Sequence, residues 1–382
     1  MLCAQSTVPA PFPTPGAGPT KVDRRPPSLF PVEQLWTLAL NNQLIAPTAY
    51  DDTRAYFSIE GDRLVAYELK SGAQQWLVTA RPQFAPVAGD SLLFIVEPGS
   101  LTALNAGDGS IAWQLPFADK VAVGPVWDNG WLIVATDQGE VLAFRGVDGY
   151  LLWRHGLESP AHARPALAED RVYVPTSDGR IVALHVETGE RQWERRLGGP
   201  PNDVLALTER LYVGSQDNFF YCLMTKDGRV DWKWRTGGDV IGLPIVDKDR
   251  VYFVALDNVL RALDRKSGVQ QWMRPLAIRP AWGPVAAGST VLVAGLTPSV
   301  RGFEMKDGAP AGDLPATGQL AGAPYAFEDR PLQRPMVLVI SLDIAKGASA
   351  ALAARSFEPN VFPIVPLPNV VSMAPATPPP RH

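Results

Sequence analysis

The chain has 382 residues, of which 46% are hydrophobic and 19% charged, and its formal net charge is −4. This composition is ordinary for a protein that buries a core. The net charge gives no reason to expect a nucleic-acid partner, which requires a clustered basic face. No run of 18 apolar residues occurs, so the sequence contains no candidate transmembrane segment.

Residues 1–31 are predicted to be a disordered tether or the remnant of a signal, because they are rich in Pro, Ala, Thr and Gly. The first six residues lack the basic region and apolar core of a complete secretory signal. They fit the end of a signal whose start lies upstream, and Cys3 would then be a candidate for lipidation, although Leu2 is a poor neighbour for it. A plain disordered start is the alternative.

Between residues 32 and 358 one pattern recurs seven times, with a Gly six positions after a small residue and, in six units, a Trp four positions after that Gly. Successive glycines are 37 to 40 residues apart. The repeat glycines are Gly72, Gly109, Gly149, Gly189, Gly228, Gly268 and Gly308. The tryptophans in register are Trp36, Trp76, Trp113, Trp153, Trp193, Trp232 and Trp272. We interpret these residues as structural repeat positions.

Each repeat position has a physical role. Asp, Ser or Thr before the Gly favours a turn, and the Gly adopts the positive φ that closes a hairpin. The small residue allows adjacent sheets to approach closely, and the Trp offers a flat surface for packing between them. Cys222 occupies a small-residue position and is therefore predicted to be a buried hydrophobe, not a nucleophile. Four short strands in about forty residues predict the blade of an all-β propeller.

The order of the units predicts eight four-stranded antiparallel blades in a closed ring. The last unit, which begins at Pro324, has no Trp-bearing strand of its own, whereas the strand near residues 33–40 carries Trp36 without a preceding partner. We expect this N-terminal strand to complete the last blade and so remove the free edges of a linear array. Seven blades are the alternative, with the last unit as a cap. Residues 359–382 are predicted to be a Pro-rich disordered tail.

Several units resemble the PQQ-like β-propeller repeat family. The similarity lies in segments such as Val141-Leu142-Ala143-Phe144, followed by Asp148-Gly149 and Trp153, which resemble the tryptophan-docking motif of that family. It covers about residues 33 to 357. One branch of the family contains quinoprotein dehydrogenases, which carry pyrroloquinoline quinone and calcium, and another is the non-enzymatic BamB-like branch. Size, blade count and the N-terminal linker favour the BamB-like branch.

Membership of the BamB-like branch would imply a non-catalytic scaffold for protein–protein interaction in the bacterial cell envelope. The expected location is the periplasm or the outer membrane, with a role in outer-membrane protein assembly and other envelope proteins as partners. No enzyme activity, cofactor, catalytic residue or metal site is expected. A PQQ- or sugar-binding propeller similar to the dehydrogenases is the alternative function, and an extracellular or cytoplasmic location is the alternative to the envelope.

Two segments have residues that are unusual for their place in the repeat. Asn202-Asp203 lies in the unit that lacks the recurrent Pro, and Arg279-Pro280-Ala281-Trp282 adds a Trp near one end of the predicted channel. Arg and Trp are common at interface hot spots, but single unusual residues are more often harmless variation, so neither segment is assigned as a site. His155 and His162 flank one loop, where we expect solvated side chains and no metal site.

Overall fold

The computed structural model describes residues 26–329, 332–343 and 347–357. All regular elements in these ranges are β-strands. The described residues accordingly contain no helix long and apolar enough to cross a membrane. The first 25 residues of the predicted tether, with Cys3, and the predicted tail lie outside the described residues.

The strands form eight antiparallel sheets, which are the blades of a propeller, so the predicted fold class and blade count are confirmed. Blades 1 and 2 comprise β2 (Ala49–Tyr50), β3 (Arg54–Ile59), β4 (Arg63–Glu68), β5 (Gln74–Thr79), β6 (Val87–Gly89), β7 (Leu92–Glu97), β8 (Ser100–Asn105) and β9 (Ile111–Pro116). Blades 3 and 4 comprise β10 (Val126–Asp128), β11 (Trp131–Ala135), β12 (Glu140–Arg145), β13 (Leu151–Gly156), β14 (Ala166–Ala168), β15 (Arg171–Pro175), β16 (Arg180–His185) and β17 (Arg191–Arg196).

The second half of the ring repeats this arrangement. Blades 5 and 6 comprise β18 (Pro201–Ala206), β19 (Arg210–Ser215), β20 (Phe219–Met224), β21 (Val230–Arg235), β22 (Val240–Val246), β23 (Arg250–Ala255), β24 (Val259–Asp264) and β25 (Gln270–Pro275). Blade 7 comprises β26 (Val285–Ala287), β27 (Thr290–Ala294), β28 (Ser299–Glu304) and β29 (Pro310–Pro315). Blade 8 comprises β30 (Gln319–Leu320), β31 (Tyr325–Asp329), β32 (Arg334–Asp343), β33 (Ala348–Ser356) and β1 (Val32–Ala39).

The middle strands of each blade carry the core, because each blade packs against a neighbour on both faces. In blade 3, β11 and β12 are almost fully buried, whereas the outer strand β13 alternates between exposed and buried residues. The first strands of neighbouring blades contact one another and surround the central axis. Continuous apolar runs therefore mark the middle strands, and alternating runs mark the outer ones.

The ring closes through the N-terminal strand, as the position of Trp36 predicted. Strand β1 pairs antiparallel with β33, and Trp36 lies opposite Ala353. The Trp36 ring in turn packs on Gly72 of blade 1. The first and last strands of the propeller thus share one blade, and non-covalent contacts join the two ends of the ring.

Residues 26–31, which the composition assigned to the tether, pack along blade 7, and we call them the strap. Leu29 is fully buried, and its N–H donates to Thr290 Oγ1. Phe30 lies against Gly302 and Gly312, where an added Cβ would come within 2.3 and 2.5 Å of its ring. Because Gly312 stands where other units have Trp, Phe30 supplies the aromatic ring that β29 lacks. Packing on the propeller thus begins at least five residues before the boundary drawn at residue 31.

The missing Pro of the fifth unit has a structural cause. In blade 6 the inner strand advances five residues, from Val240 to Ile245, while its partner strand advances three, from Tyr252 to Ala255. In blade 5 the inner strand advances only four residues, from Pro201 to Leu205, over the same three residues of its partner strand, from Tyr212 to Ser215. The bulge of the inner strand is one residue shorter there, so the position that would carry the Pro is displaced.

Candidate functional site at the central channel

The repeat tryptophans and glycines meet across the blade boundaries. Each Trp ring packs on the turn Gly of the next unit, where a Cβ would come within 3.0 Å of it. The pairs are Trp36–Gly72, Trp76–Gly109, Trp113–Gly149, Trp153–Gly189, Trp193–Gly228, Trp232–Gly268 and Trp272–Gly308. All seven glycines have φ between 67° and 74°, so both the turn and the close approach require glycine.

Six of these tryptophans also donate their indole N–H to a backbone carbonyl of the next blade. The acceptors of Trp36, Trp76, Trp113, Trp153, Trp193 and Trp272 are Leu69, Ala106, Gly146, Val186, Thr225 and Met305. In the seventh, Trp232, the indole N–H is buried without a partner. The Tyr212 hydroxyl instead donates to the Arg265 carbonyl at 2.7 Å. The repeat residues thus hold neighbouring blades together.

Cys222 lies in the core between blades 5 and 6. It is fully buried and pairs with Tyr212 on one side and Trp232 on the other. Burial raises the pKa of the Cys222 thiol to about 12, so the reactive thiolate is absent at neutral pH.

The inner-strand bulges of blades 3 to 6 form one cavity at the end of the channel. In blade 3 the bulge lies between Val121, which bridges to Thr136, and β10, which pairs with β11. The cavity measures about 360 Å³. Its lining comprises Val123, Gly124, His162, Ala163, Arg164, Asn202, Asp203, Ile241 and Gly242. We call this surface the channel mouth.

Polar side chains cross the blade boundaries at the channel mouth. Arg164 Nε lies 4.0 Å from Asp203 Oδ1, and its side chain is 55% exposed. The Asn202 amide donates to the Val240 carbonyl at 2.5 Å. His162 Nε2 lies 2.9 Å from Gln216 Nε2. An ion pair of this length at the surface contributes little to stability. The exposed Arg164 guanidinium is accessible to a partner, whereas the Asp203 carboxylate is half-buried.

The structure separates the two segments that the sequence singled out. Asn202-Asp203 does line the channel mouth, next to Arg164. Trp282, however, packs half-buried on the core between blades 7 and 8. The neighbouring Gly283 and Gly242 are in backbone contact, where an added Cβ would come within 2.2 Å. This part of the second segment therefore contributes to packing.

Sequence reasoning missed Arg164, although the repeat contained a signal for it. The residue before the recurrent Pro is small in most units, as in Ala85, Gly124, Gly283 and Ala323. Arg164 is the one charged residue at that position. A long cationic side chain in a row of small residues would have marked the channel mouth.

A second polar cluster lies between the outer strands of blades 3 and 4. The largely buried Arg180 guanidinium contacts the carboxylates of Glu158, Asp178 and Glu194 within 3.3 Å. His155 lines the same cleft, and burial lowers its pKa, assisted by Arg191. His162 lies at the channel mouth instead. Within the described ranges, no three His, Cys, Asp or Glu residues form a metal-binding group.

The sequence and the fold were compared with those of known proteins. A family model described as outer membrane protein assembly factor BamB matches residues 32–116, 97–209 and 205–337. Outer membrane protein assembly factor BamB of Yersinia pestis is 28% identical over 110 residues. That alignment spans 28% of this chain and 28% of the Yersinia protein.

Solved propellers share the fold at low sequence identity. BamB from Moraxella catarrhalis superposes with a TM-score of 0.67 at 20% identity, over 86% of this chain and 98% of that structure. Quinohemoprotein alcohol dehydrogenase from Comamonas testosteroni gives 0.67 at 12% identity, over 86% of this chain and 77% of its own. At such identities the likeness shows the fold alone.

Proposed function

Since this chain belongs to the family of the outer membrane protein assembly factor BamB, we propose that it is a non-catalytic scaffold that binds other envelope proteins. The observation that carries the proposal is the match of the family model, which extends from blade 1 into blade 8. A role in outer-membrane protein assembly, similar to that named for the relatives, is the specific form of this proposal.

The channel mouth is the proposed docking surface. It combines apolar side chains such as Val123 and Ile241 with the exposed Arg164 and the half-buried Asp203, which suits protein recognition. Leu243, next to this cavity in the same bulge, is 40% exposed. An exposed Arg beside apolar residues is typical of interface hot spots.

The match to the BamB family model supports the scaffold over a quinoprotein-like enzyme. The dehydrogenases share the fold at 12% to 13% identity, and that likeness carries no activity to this chain. The proposal therefore includes no enzyme activity and no cofactor. A turnover of alcohol substrates with added quinone and calcium would contradict it.

We further propose that residues 1–25, which precede the strap, tether the propeller and that residues 359–382 form a tail. We also propose that the protein is periplasmic or associated with the outer membrane. Cys3 is the proposed point of lipid attachment. Cell fractionation with palmitate labelling tests this, because Cys3→Ala should abolish labelling and release the protein from the membrane. Recovery of the wild-type protein in the cytoplasm would contradict the proposed location.

Photo-crosslinking tests the docking surface. A crosslinking amino acid at position 164 is expected to capture outer-membrane assembly proteins in the native host, identified by mass spectrometry. The same group at Gln114, on the exposed outer strand of blade 2, is the matched control. Equal capture from both positions, or none from position 164, would contradict docking at the channel mouth.

A further inference from the structure

A second cavity lies at the opposite end of the inner strands from the channel mouth. It measures about 530 Å³, within the range of about 300 to 1,000 Å³ that is usual for small-molecule sites. The turns between the first and second strands of blades 1 and 2 form its rim. Tyr325 enters from blade 8 and Trp127 from blade 3. We call it the turn-side cavity.

Aromatic rings flank the turn-side cavity. The rings of Tyr50 and Tyr325 stack with centroids 3.8 Å apart and planes within 2°. Tyr50, Ala88 and Trp127 occupy the same register position in blades 1, 2 and 3, opposite Ala55, Leu93 and Leu132. A small side chain thus stands between two aromatic ones. Tyr50, Trp127 and the small residues of blade 2 between them line the cavity together, and we call the part beside Ala88 the slot.

The floor of the slot is built for a close approach. The Trp127 ring lies over Gly89, where an added Cβ would come within 2.2 Å of it. Any residue other than Gly at position 89 would push the indole away. The position of the Trp127 ring beside the cavity therefore depends on the small residues of β6.

The rim supplies hydrogen-bonding groups in fixed positions. Asp51 accepts bonds from the N–H groups of Thr53 and Arg54 and from the Tyr56 hydroxyl, which holds the blade 1 turn. The blade 2 turn contributes Asp90 and Ser91, with φ of 49° and 63°. Blade 3 has Asn129 and Gly130 in the equivalent turn. Ser91 therefore adopts a left-handed conformation that glycine would adopt more readily.

We propose that the turn-side cavity binds a saccharide. Sugar rings have an apolar C–H face that packs on aromatic rings and a periphery of hydroxyl groups that bond with carboxylate, guanidinium and hydroxyl side chains. The aromatic neighbours Tyr50 and Trp127 match the first requirement, and Arg54, Asp90 and Ser91 match the second. The site is separate from the channel mouth, so it does not depend on the proposed docking function.

Saturation-transfer NMR and calorimetry with defined sugars test the proposal on the full chain. The probes are glucose, N-acetylglucosamine and their β-1,4-linked tetrasaccharides. Saturable binding of at least one of them is expected. Tighter binding of a tetrasaccharide would indicate a polysaccharide ligand, and equal binding of the monosaccharide a free sugar. Absence of saturable binding by all four probes would overturn the proposal.

Variants locate the binding. Trp127→Ala is expected to weaken it about tenfold. Ser91→Gly removes one hydroxyl but suits the turn, so it should weaken binding about threefold with an unchanged melting temperature. Tyr150→Ala, at an exposed turn of blade 3, is the control and should bind normally. Wild-type affinity in Ser91→Gly together with Trp127→Ala would place the sugar elsewhere and overturn the assignment.

Discussion

At the scale of single residues, side chains that could carry chemistry serve as packing residues when they occupy repeat positions. Cys222 is the clearest case, because a thiol in a fold shared with redox enzymes suggests a catalytic role. Its position opposite Tyr212 and Trp232 leaves no access for a reactant. Burial and the raised pKa together predict an inert thiol.

The Cys222 pKa predicts a pH dependence of stability. The unfolded thiol ionises above its ordinary pKa of 9.0, whereas the folded thiol stays neutral until about 12. The stabilisation is therefore complete below pH 9 and lost as the pH rises, by about 1.4 kcal/mol at pH 10. Denaturant titrations of Cys3→Ser and Cys3→Ser/Cys222→Ala between pH 8 and 10 should show this difference.

Alkylation provides an independent check on the same thiol. In the Cys3→Ser background iodoacetamide should label Cys222 only after unfolding. Rapid labelling of the native protein, or identical pH slopes in the two variants, would contradict the buried, neutral thiol.

At the scale of elements, the N-terminal segment completes two blades: the strap adds an aromatic ring to blade 7, and β1 adds the outer strand of blade 8. Phe30 fills the space beside Gly302 and Gly312 that a repeat Trp would have occupied. Ser28 adds hydrogen bonds to Thr290 and Glu304 on the same blade. The aromatic ring at the boundary between blades 7 and 8 therefore comes from the N-terminal strap and not from β29.

Removal of the Phe30 ring should destabilise this boundary. Phe30→Ala is expected to lower the unfolding free energy by about 3 kcal/mol, because the ring leaves a cavity that two glycines cannot refill. Phe357→Ala is the matched control, since that ring is 41% exposed, and its effect should be much smaller. Equal losses in chemical denaturation would show that Phe30 does not act as the missing Trp.

At the scale of the whole molecule, we expect the stability of the propeller to depend on ring closure. Among the described strands, β1 is the one that pairs with the outer edge of β33, and the buried Ala351 and Ala353 lie behind that edge. An open ring would expose this edge and its apolar cluster. The two chain ends of the propeller therefore depend on each other.

Complementation in trans tests this dependence. A chain of residues 41–382 is expected to aggregate or unfold non-cooperatively, because blade 8 lacks its outer strand. Adding a peptide of residues 26–40 should restore a single cooperative thermal transition, and the same peptide with Trp36→Ala should do so poorly. A stable, monomeric truncated chain without the peptide would contradict closure by β1.

The channel mouth and the turn-side cavity were beyond sequence reasoning for a definable reason. Each combines residues from four blades. Neighbours in space are about forty residues apart in the chain or, for Tyr50 and Tyr325, lie near its two ends. Arg164 was visible as a departure from the small residues before the recurrent Pro. Its pairing with Asp203 required the shorter bulge of blade 5, which no repeat alignment by itself reveals.

The repeat alone determined the all-β class and predicted the closing strand and eight blades of this protein, and the structure decided between eight blades and seven. It could do so because each Trp, Gly and small residue acts through contacts with the adjacent unit, and those contacts recur at one spacing. Only the tertiary structure decided that the strap packs on blade 7 with Phe30 in place of a Trp. It alone also decided which inner-strand residues meet at each end of the channel, because closing the ring sets which departures from the repeat become neighbours.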